Sequence, residues 1–113
     1  MIQSRQVVSR LGLALASFLL IPTALAAAPT AERHAKLDHL LLQDCGSCHG
    51  LRMTGGLGPA LTREALAGKP RDSLIATVTH GRPGTAMPGW NALLDEQDIA
   101  YLVDRLLEGY PKP

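Results

Sequence analysis

Apolar side chains recur every three or four residues in three stretches of the chain, which is the period of an α-helix. The first stretch is 32–43, the second begins at Pro70 and ends before Gly81, and the third runs from the favourable N-cap Asp95 to residue 108. A shorter helix of one or two turns is expected at 61–67. The three apolar stripes consist of Ala35, Leu37, Leu40 and Leu41, then Leu74, Ile75 and Val78, and finally Ile99, Leu102, Val103 and Leu106.

Glycine and proline separate these helices and fill two loops, 50–59 and 81–89. No stretch alternates apolar and polar residues with the period of two that a half-buried strand requires, and no segment repeats. The pattern therefore predicts an all-α fold of three to five short helices. Its specific chemistry is expected in the two loops, because loops present functional side chains more often than helix faces do.

The segment 1–26 has the pattern of a secretory signal peptide. Two arginines precede an apolar run at 11–21, and an Ala-Leu-Ala cleavage signal ends at Ala26. The alternative is an uncleaved membrane anchor, but the run is shorter than the about 20 apolar residues that span a bilayer, and Pro22 interrupts it. We therefore expect export to the periplasm, cleavage after Ala26 and a single mature domain, 27–113.

A domain of this size buries little apolar surface by itself. The chain has 113 residues, of which 4% are aromatic, and only two cysteines. Small exported domains usually add several disulfides, a metal or another cross-link to a thin core. One cysteine pair cannot form a disulfide framework, so a large apolar cofactor is the expected missing part of the core.

The charge balance excludes two classes of partner. Without the two arginines of the signal segment, nine basic residues face ten acidic ones, a net charge of −1. No basic patch with interleaved aromatic residues is present, so we expect no nucleic-acid binding. No polybasic segment is present either, so we expect no membrane association after signal cleavage.

The Cys-x-x-Cys-His pattern of Cys45, Cys48 and His49 is the strongest chemical signal in the sequence. In this pattern each thiol adds to a haem vinyl group and the histidine is the proximal iron ligand. A thioredoxin-type redox pair would require a βαβ context, and a structural zinc site would require four ligands. The sequence therefore predicts one covalently bound haem c, attached by a dedicated haem c attachment machinery.

Met87 is the first candidate for the second axial iron ligand. It lies in a loop whose backbone is restricted by Pro83 and Pro88, and a thioether opposite a histidine raises the haem potential. Met53 is the alternative, although it follows the motif closely and suits a core-filling role better. His80 is the other alternative, although it ends a predicted helix, where an imidazole also suits the helix dipole.

These motifs resemble those of class I cytochromes c over nearly all of the mature domain. The chain is most similar to the small cytochromes encoded with haem c/haem d dissimilatory nitrite reductases, the NirC type. The resemblance implies a class I cytochrome c fold around one haem and electron transfer rather than catalysis. It is carried by Cys45-Gly46-Ser47-Cys48-His49-Gly50, Gly58-Pro59-Ala60-Leu61 and Gly81-Arg82-Pro83-Gly84-Thr85-Ala86-Met87-Pro88-Gly89-Trp90.

The resemblance also implies roles for neighbouring residues and for a partner. The backbone carbonyl of Pro59 is expected to accept the Nδ1 hydrogen of His49, and Trp90 and Arg82 are expected to bind haem propionates. The implied partner is a redox protein, namely nitrite reductase, which would receive electrons in denitrification. The alternative is a redox component that accepts electrons during maturation of the haem d of that enzyme.

A nearly neutral domain cannot rely on a single strong field to steer a partner. We therefore expect an apolar docking face at the haem edge, surrounded by charges of both signs. The candidates for this face are Leu51, Met53, Leu57 and Ala86.

Overall fold

The computed structural model describes residues 30–112, so the expected signal segment and its cleavage site lie outside the described residues. Within 30–112 the chain forms four helical segments and no strand, and the predicted all-α fold is confirmed. None of these helices is long and apolar enough to cross a membrane. The segments are α1 (Ala31–Leu40) continuing through a π-helical turn (Leu41–Cys45) into α2 (Gly46–His49), then α3 (Arg63–Leu66), α4 (Arg71–His80) and α5 (Glu96–Leu107).

The first segment carries the whole Cys-x-x-Cys-His motif on continuous helix. It begins after Thr30, whose Oγ1 accepts the backbone N–H of Arg33 at 3.3 Å. The sequence predicted an end at residue 43, but the helix continues through Gly46. Gly46 is buried against Leu51, and a Cβ there would lie only 3.3 Å from Leu51 Cδ2, so the packing favours glycine at this position.

Two further helices, the short α3 and the longer α4, follow the loop after the motif. Thr62 caps α3, since its Oγ1 accepts the backbone N–H of Ala65 at 3.2 Å. Pro70 was expected at the first helical position of α4, but it is the N-cap with extended backbone. Its carbonyl accepts the N–H groups of Ser73 and Leu74 at 3.1 and 3.2 Å, so it closes the first turn from outside the helix.

The last helix, α5, supplies the largest part of the core. Asp95 caps it as predicted, because its Oδ1 accepts the N–H of Asp98 at 2.8 Å. The predicted apolar stripe of α5 is buried in full, and that of α4 packs against the core while staying partly exposed. The central cluster consists of Leu37, Leu41, Met53, Leu66, Leu94, Ile99, Leu102 and Leu106.

Arginine–aspartate pairs connect α5 to the other long helices. Arg33 of α1 makes a bidentate pair with Asp98, whose side chain is only 3% exposed. Arg105 of α5 makes a second bidentate pair with Asp38 of α1 at 2.9 and 3.0 Å. Because each guanidinium is planar and binds both carboxylate oxygens, the two pairs fix the relative orientation of α1 and α5 as well as their separation. A third pair joins α4 to α5 through Arg71 and Asp104, at 2.6 and 2.8 Å.

We predict that Asp98→Asn lowers the free energy of unfolding by about 2 kcal/mol at pH 7, because a buried charged hydrogen bond is lost. The hydrogen bonds from Arg33 hold the pKa of Asp98 below its usual value. A carboxyl with a lowered pKa in the folded state stabilises the fold above its unfolded pKa of about 4 and loses this contribution as the pH falls. Denaturant unfolding at pH 7 and pH 3 should therefore show a smaller loss on acidification in Asp98→Asn than in the wild type.

The matched control is Glu32→Gln, which removes the exposed pair between Glu32 and Lys36. It should change the stability by less than about 0.5 kcal/mol. An acid-induced loss in Asp98→Asn as large as that of the wild type would show that this pair does not couple the fold to pH.

Candidate functional site

An apolar cavity of about 580 Å³ lies between the Cys-x-x-Cys-His motif, the two predicted loops and the inner faces of α4 and α5. This volume falls in the range of roughly 300–1,000 Å³ that is usual for ligand and cofactor sites. The cavity wall is built mainly from Leu41, Leu57, Leu61, Leu66, Leu74, Val78, Pro88, Leu102, Val103 and Leu106.

Both cysteines and the histidine of the motif line this cavity. Cys45 ends the π-helical turn, and Cys48 and His49 follow on α2. The two cysteines are not joined in a disulfide, so each sulfur is free to form another bond. Burial raises the pKa of the Cys45 thiol to about 11, and the charge of Asp44 adds to this effect, so the thiol is protonated at neutral pH.

A hydrogen bond fixes the orientation of the His49 ring. Its Nδ1 lies 2.7 Å from the backbone carbonyl oxygen of Pro59. Because a carbonyl oxygen can only accept, Nδ1 carries the hydrogen and donates it, which leaves Nε2 as the nitrogen able to bind a metal. Such a bond also raises the basicity of the imidazole as a metal ligand.

Close backbone packing brings the Pro59 loop onto the histidine. The N–H of Gly58 donates to the carbonyl of Cys48 at 2.8 Å, and the N–H of Gly55 donates to that of His49 at 2.8 Å. A Cβ at Gly58 would lie 2.7 Å from His49 Cε1 and 2.8 Å from Nδ1. Glycine is therefore required at this position by the closeness of the imidazole.

The loop that carries Met87 is held against the end of α4. The N–H of Arg82 donates to the carbonyl of Met87 at 3.1 Å, and the N–H of Trp90 donates to that of Val78 at 3.0 Å. Gly81 has a φ of +68°, and a Cβ there would lie 2.6 Å from the Met87 carbonyl oxygen. These contacts fix the course of the loop across the C-terminal end of α4.

All the residues that the sequence predicted for the cofactor site line this one cavity. The motif residues form one side, and the loop after α4 contributes the thioether, the indole and the guanidinium. The residues concerned are Cys45, Cys48, His49, Pro59, Arg82, Met87 and Trp90.

The two alternatives to Met87 lie elsewhere. Met53 is 1% exposed, belongs to the central apolar cluster and does not reach the cavity wall. This burial agrees with a core-filling role for Met53. The prediction that Met53 belongs to a docking face is wrong, because a partner cannot contact a buried side chain. His80 lies at the exposed end of α4, beside a separate cavity bounded by Asp72, Asn91 and Glu96.

Lys69 is a cavity-lining residue that sequence reasoning missed. It lies in the turn between α3 and α4, and it is exposed at the cavity together with Arg82. The acidic residue on the wall is Asp44. Nothing local in the sequence marks Lys69, because its approach depends on how the turn at Gly68 returns the chain to the cavity.

The donor set and the wall fit a c-type haem. Two thiols and an imidazole at helical spacing match the attachment pattern of this cofactor. The thioether of Met87 belongs to the same cavity, and the apolar wall suits a macrocycle. Lys69 and Arg82 are suitable partners for the two carboxylates of a haem.

Comparison with known proteins points the same way. The family model described as cytochrome c oxidase, cbb3-type, subunit III matches residues 32–104. A protein named cytochrome c55X from Stutzerimonas stutzeri is 93% identical over 110 residues, covering 97% of both chains.

Two solved structures resemble the fold. A c-type cytochrome NirC is 68% identical with a TM-score of 0.72, and the match covers 75% of this chain and 100% of the other. Dihydro-heme d1 dehydrogenase NirN, solved in complex with DHE, is 35% identical with a TM-score of 0.61. That match covers 66% of this chain and only 16% of NirN, so the likeness concerns one part of a longer protein.

We predict that Gly58→Ala disturbs the His49 side of the cavity, because the new methyl group would lie within 3 Å of the imidazole. Holoprotein yield should fall, and the reduction potential of the protein that still forms should differ from that of the wild type. Cyclic voltammetry and the visible spectrum of the purified protein measure both effects.

The control is Gly109→Ala. Gly109 has a φ of +86°, so alanine strains the backbone there, but it lies away from the cavity wall and the nearest atom to the added Cβ is Arg63 Cβ at 3.6 Å. It should cost about 1 kcal/mol of stability and leave the potential unchanged. Equal potentials in Gly58→Ala and the wild type would contradict the close approach of Gly58 to the ligand.

Proposed function

We propose that this chain, which belongs to the cytochrome c family and is of the NirC type, is a periplasmic electron carrier with one covalently bound haem c. The observation that carries the proposal is the meeting of four side chains at one apolar cavity: Cys45, Cys48, His49 and Met87. The export signal predicted at 1–26 supports the location, since haem c proteins with such signals are assembled outside the cytoplasm.

In this proposal Cys45 and Cys48 would hold the haem through two thioether bonds, and His49 and Met87 would supply a nitrogen and a sulfur ligand to its iron. When bound, the haem supplies an iron that accepts and releases one electron. The hydrogen bond from His49 to Pro59 keeps the imidazole in one orientation during transfer. The apolar wall excludes water, which favours the less charged, reduced state.

Hydrogen bonds restrain the two loops that hold His49 and Met87, and this supports electron transfer rather than substrate binding. His49 is held by Pro59, and Met87 is held by the backbone bond to Arg82. If His49 and Met87 both bound the iron, the protein itself would supply its ligands and no position would be left for a substrate. Little rearrangement between oxidation states is expected, which suits fast outer-sphere transfer.

We predict that Met87→Ala abolishes the weak band at the red end of the oxidised spectrum that reports a methionine–iron bond. His80→Ala and Met53→Leu should keep the band, since neither residue lines the cavity. Absorption spectra of the three oxidised variants decide this. Survival of the band in Met87→Ala would remove Met87 from the iron, and its loss in His80→Ala or Met53→Leu would implicate that residue instead.

The electron acceptor that we propose is the dissimilatory nitrite reductase of denitrification. The likeness to the c-type cytochrome NirC supports this assignment. Reduced protein should be oxidised rapidly by nitrite reductase in the presence of nitrite and slowly by either alone. Stopped-flow absorption of the haem measures this directly.

A second candidate function is supported by the likeness to NirN, a dihydro-heme d1 dehydrogenase. In this alternative the protein accepts electrons released by oxidation of the tetrapyrrole during haem d maturation. Oxidised protein would then be reduced by that dehydrogenase and its substrate. Reduction in this assay without oxidation by nitrite reductase would favour the alternative.

The docking face that we propose lies where Leu57 meets the cavity. Leu57 lines the cavity and is 82% exposed, and Leu51 of the same loop is 63% exposed. Exposed leucines beside a redox cofactor fit the small, weakly held interfaces of redox encounters. Lys69 and Arg82 are exposed at the same cavity, so charge lies around the apolar patch.

We predict that Leu57→Asp slows electron transfer to the physiological partner by about tenfold, equivalent to about 1.4 kcal/mol. Leu93→Asp is the matched control, since Leu93 is 75% exposed and lies away from the cavity wall. It should change the rate by less than about twofold. The wild-type rate should fall only modestly between low and physiological salt, as rim charges are screened over about 8–10 Å. Equal rates for the two variants, or a steep salt dependence, would contradict this docking face.

A further inference from the structure

Met53 combines a left-handed backbone with a fully buried side chain. Its φ is +59°, and within residues 30–112 every other residue with a positive φ is a glycine. Its side chain is 1% exposed. An unbranched L residue avoids this region because its Cβ crowds the backbone, so burial of the thioether side chain has to offset the backbone cost.

The rest of the loop between the motif and α3 makes little contact with the core. Within 50–60, Met53 is the single buried residue, while Leu51 and Leu57 are 63% and 82% exposed. Met53 packs into the cluster that contains Leu37 of α1 and Leu102 of α5. The side chain of Met53 is therefore the main apolar attachment of this loop to the helices.

Backbone hydrogen bonds carry this attachment to the residue that contacts His49. The Met53 N–H donates to the Gly50 carbonyl at 2.8 Å, and the Met53 carbonyl accepts the N–H of Leu61 at 2.8 Å. Leu61 follows Pro59 by two residues, and the Pro59 carbonyl lies 2.7 Å from His49 Nδ1. The buried methionine and the histidine are thus linked through a short stretch of hydrogen-bonded backbone.

We propose that Met53 is a positioning residue for the proximal ligand: its buried side chain anchors the 50–61 loop so that the Pro59 carbonyl stays on His49 Nδ1. This inference rests on the proposed function, in which His49 binds the haem iron. Loss of the anchor lengthens or breaks the hydrogen bond, which lowers the basicity of the imidazole and stabilises the oxidised state less. Met53 acts through Pro59 and does not touch the iron.

The test compares side-chain and backbone effects in the holoprotein. Met53→Gly removes the anchor while relieving the positive φ, Met53→Leu keeps an apolar side chain of similar volume, and Leu94→Ala truncates another buried residue of the same cluster, away from the haem cavity. Proton NMR of the oxidised protein measures the rate at which His49 Nδ1–H exchanges with deuterium. Voltammetry measures the reduction potential of each variant.

We expect Met53→Gly to accelerate this exchange at least about tenfold over Leu94→Ala, as local opening of the loop adds to any global loss of stability. Its reduction potential should rise, while Met53→Leu should match the wild type in both measurements. Met53→Ala is the second variant: it also removes the anchor but keeps the positive φ, and its exchange should likewise exceed that of Leu94→Ala.

Exchange in Met53→Gly no faster than in Leu94→Ala would overturn the proposal, since burial in general and not the anchor would then set the rate. If His49 binds the iron, the wild-type spectrum contains a strongly shifted imidazole N–H signal that is lost in His49→Ala. The lack of such a signal in the wild type would instead refute His49 as the ligand, and with it the proposed function. The two failures are therefore distinguishable.

Discussion

The hydrogen bond between His49 Nδ1 and the Pro59 carbonyl is the contact on which the candidate site depends. It selects the nitrogen that is free for a metal and joins the motif helix to the loop that follows it. The loop can approach this closely only because residue 58 is glycine. An imidazole held in one tautomer at the edge of an apolar cavity is what a carrier that changes charge by a single electron requires.

Met87, the second candidate ligand, is held by the same kind of construction. Met87 is placed by backbone hydrogen bonds to the end of α4, and Gly81 and Gly89 let the two chain segments cross without a side chain between them. Both candidate ligands are thus positioned by backbone and glycine, while the leucines around them provide an apolar wall.

The helices are held in position by charged pairs as well as by the core. Asp38 and Asp98 tie α1 to α5 through bidentate arginines, and Asp104 ties α5 to α4. Helical periodicity predicted that these helices exist, although the first one continues past the expected end at residue 43. It gave no sign that Asp98 is buried. Its burial against Arg33 escaped the sequence because the pair joins residues 65 positions apart.

The sequence by itself determined the helical class and the attachment motif, because helix periodicity and the Cys-x-x-Cys-His spacing are local properties of the chain. Only the tertiary structure decided which methionine lies at the cavity and which lies in the core. Met53 and Met87 both occur in glycine-rich loops, and the local signals, the prolines beside Met87 and the closeness of Met53 to the motif, favour Met87 without fixing where either side chain packs. Their separation follows from long-range packing: Met53 turns into the leucine cluster of α1 and α5, while the crossing of Gly81 and Gly89 directs the Met87 loop to the cavity wall.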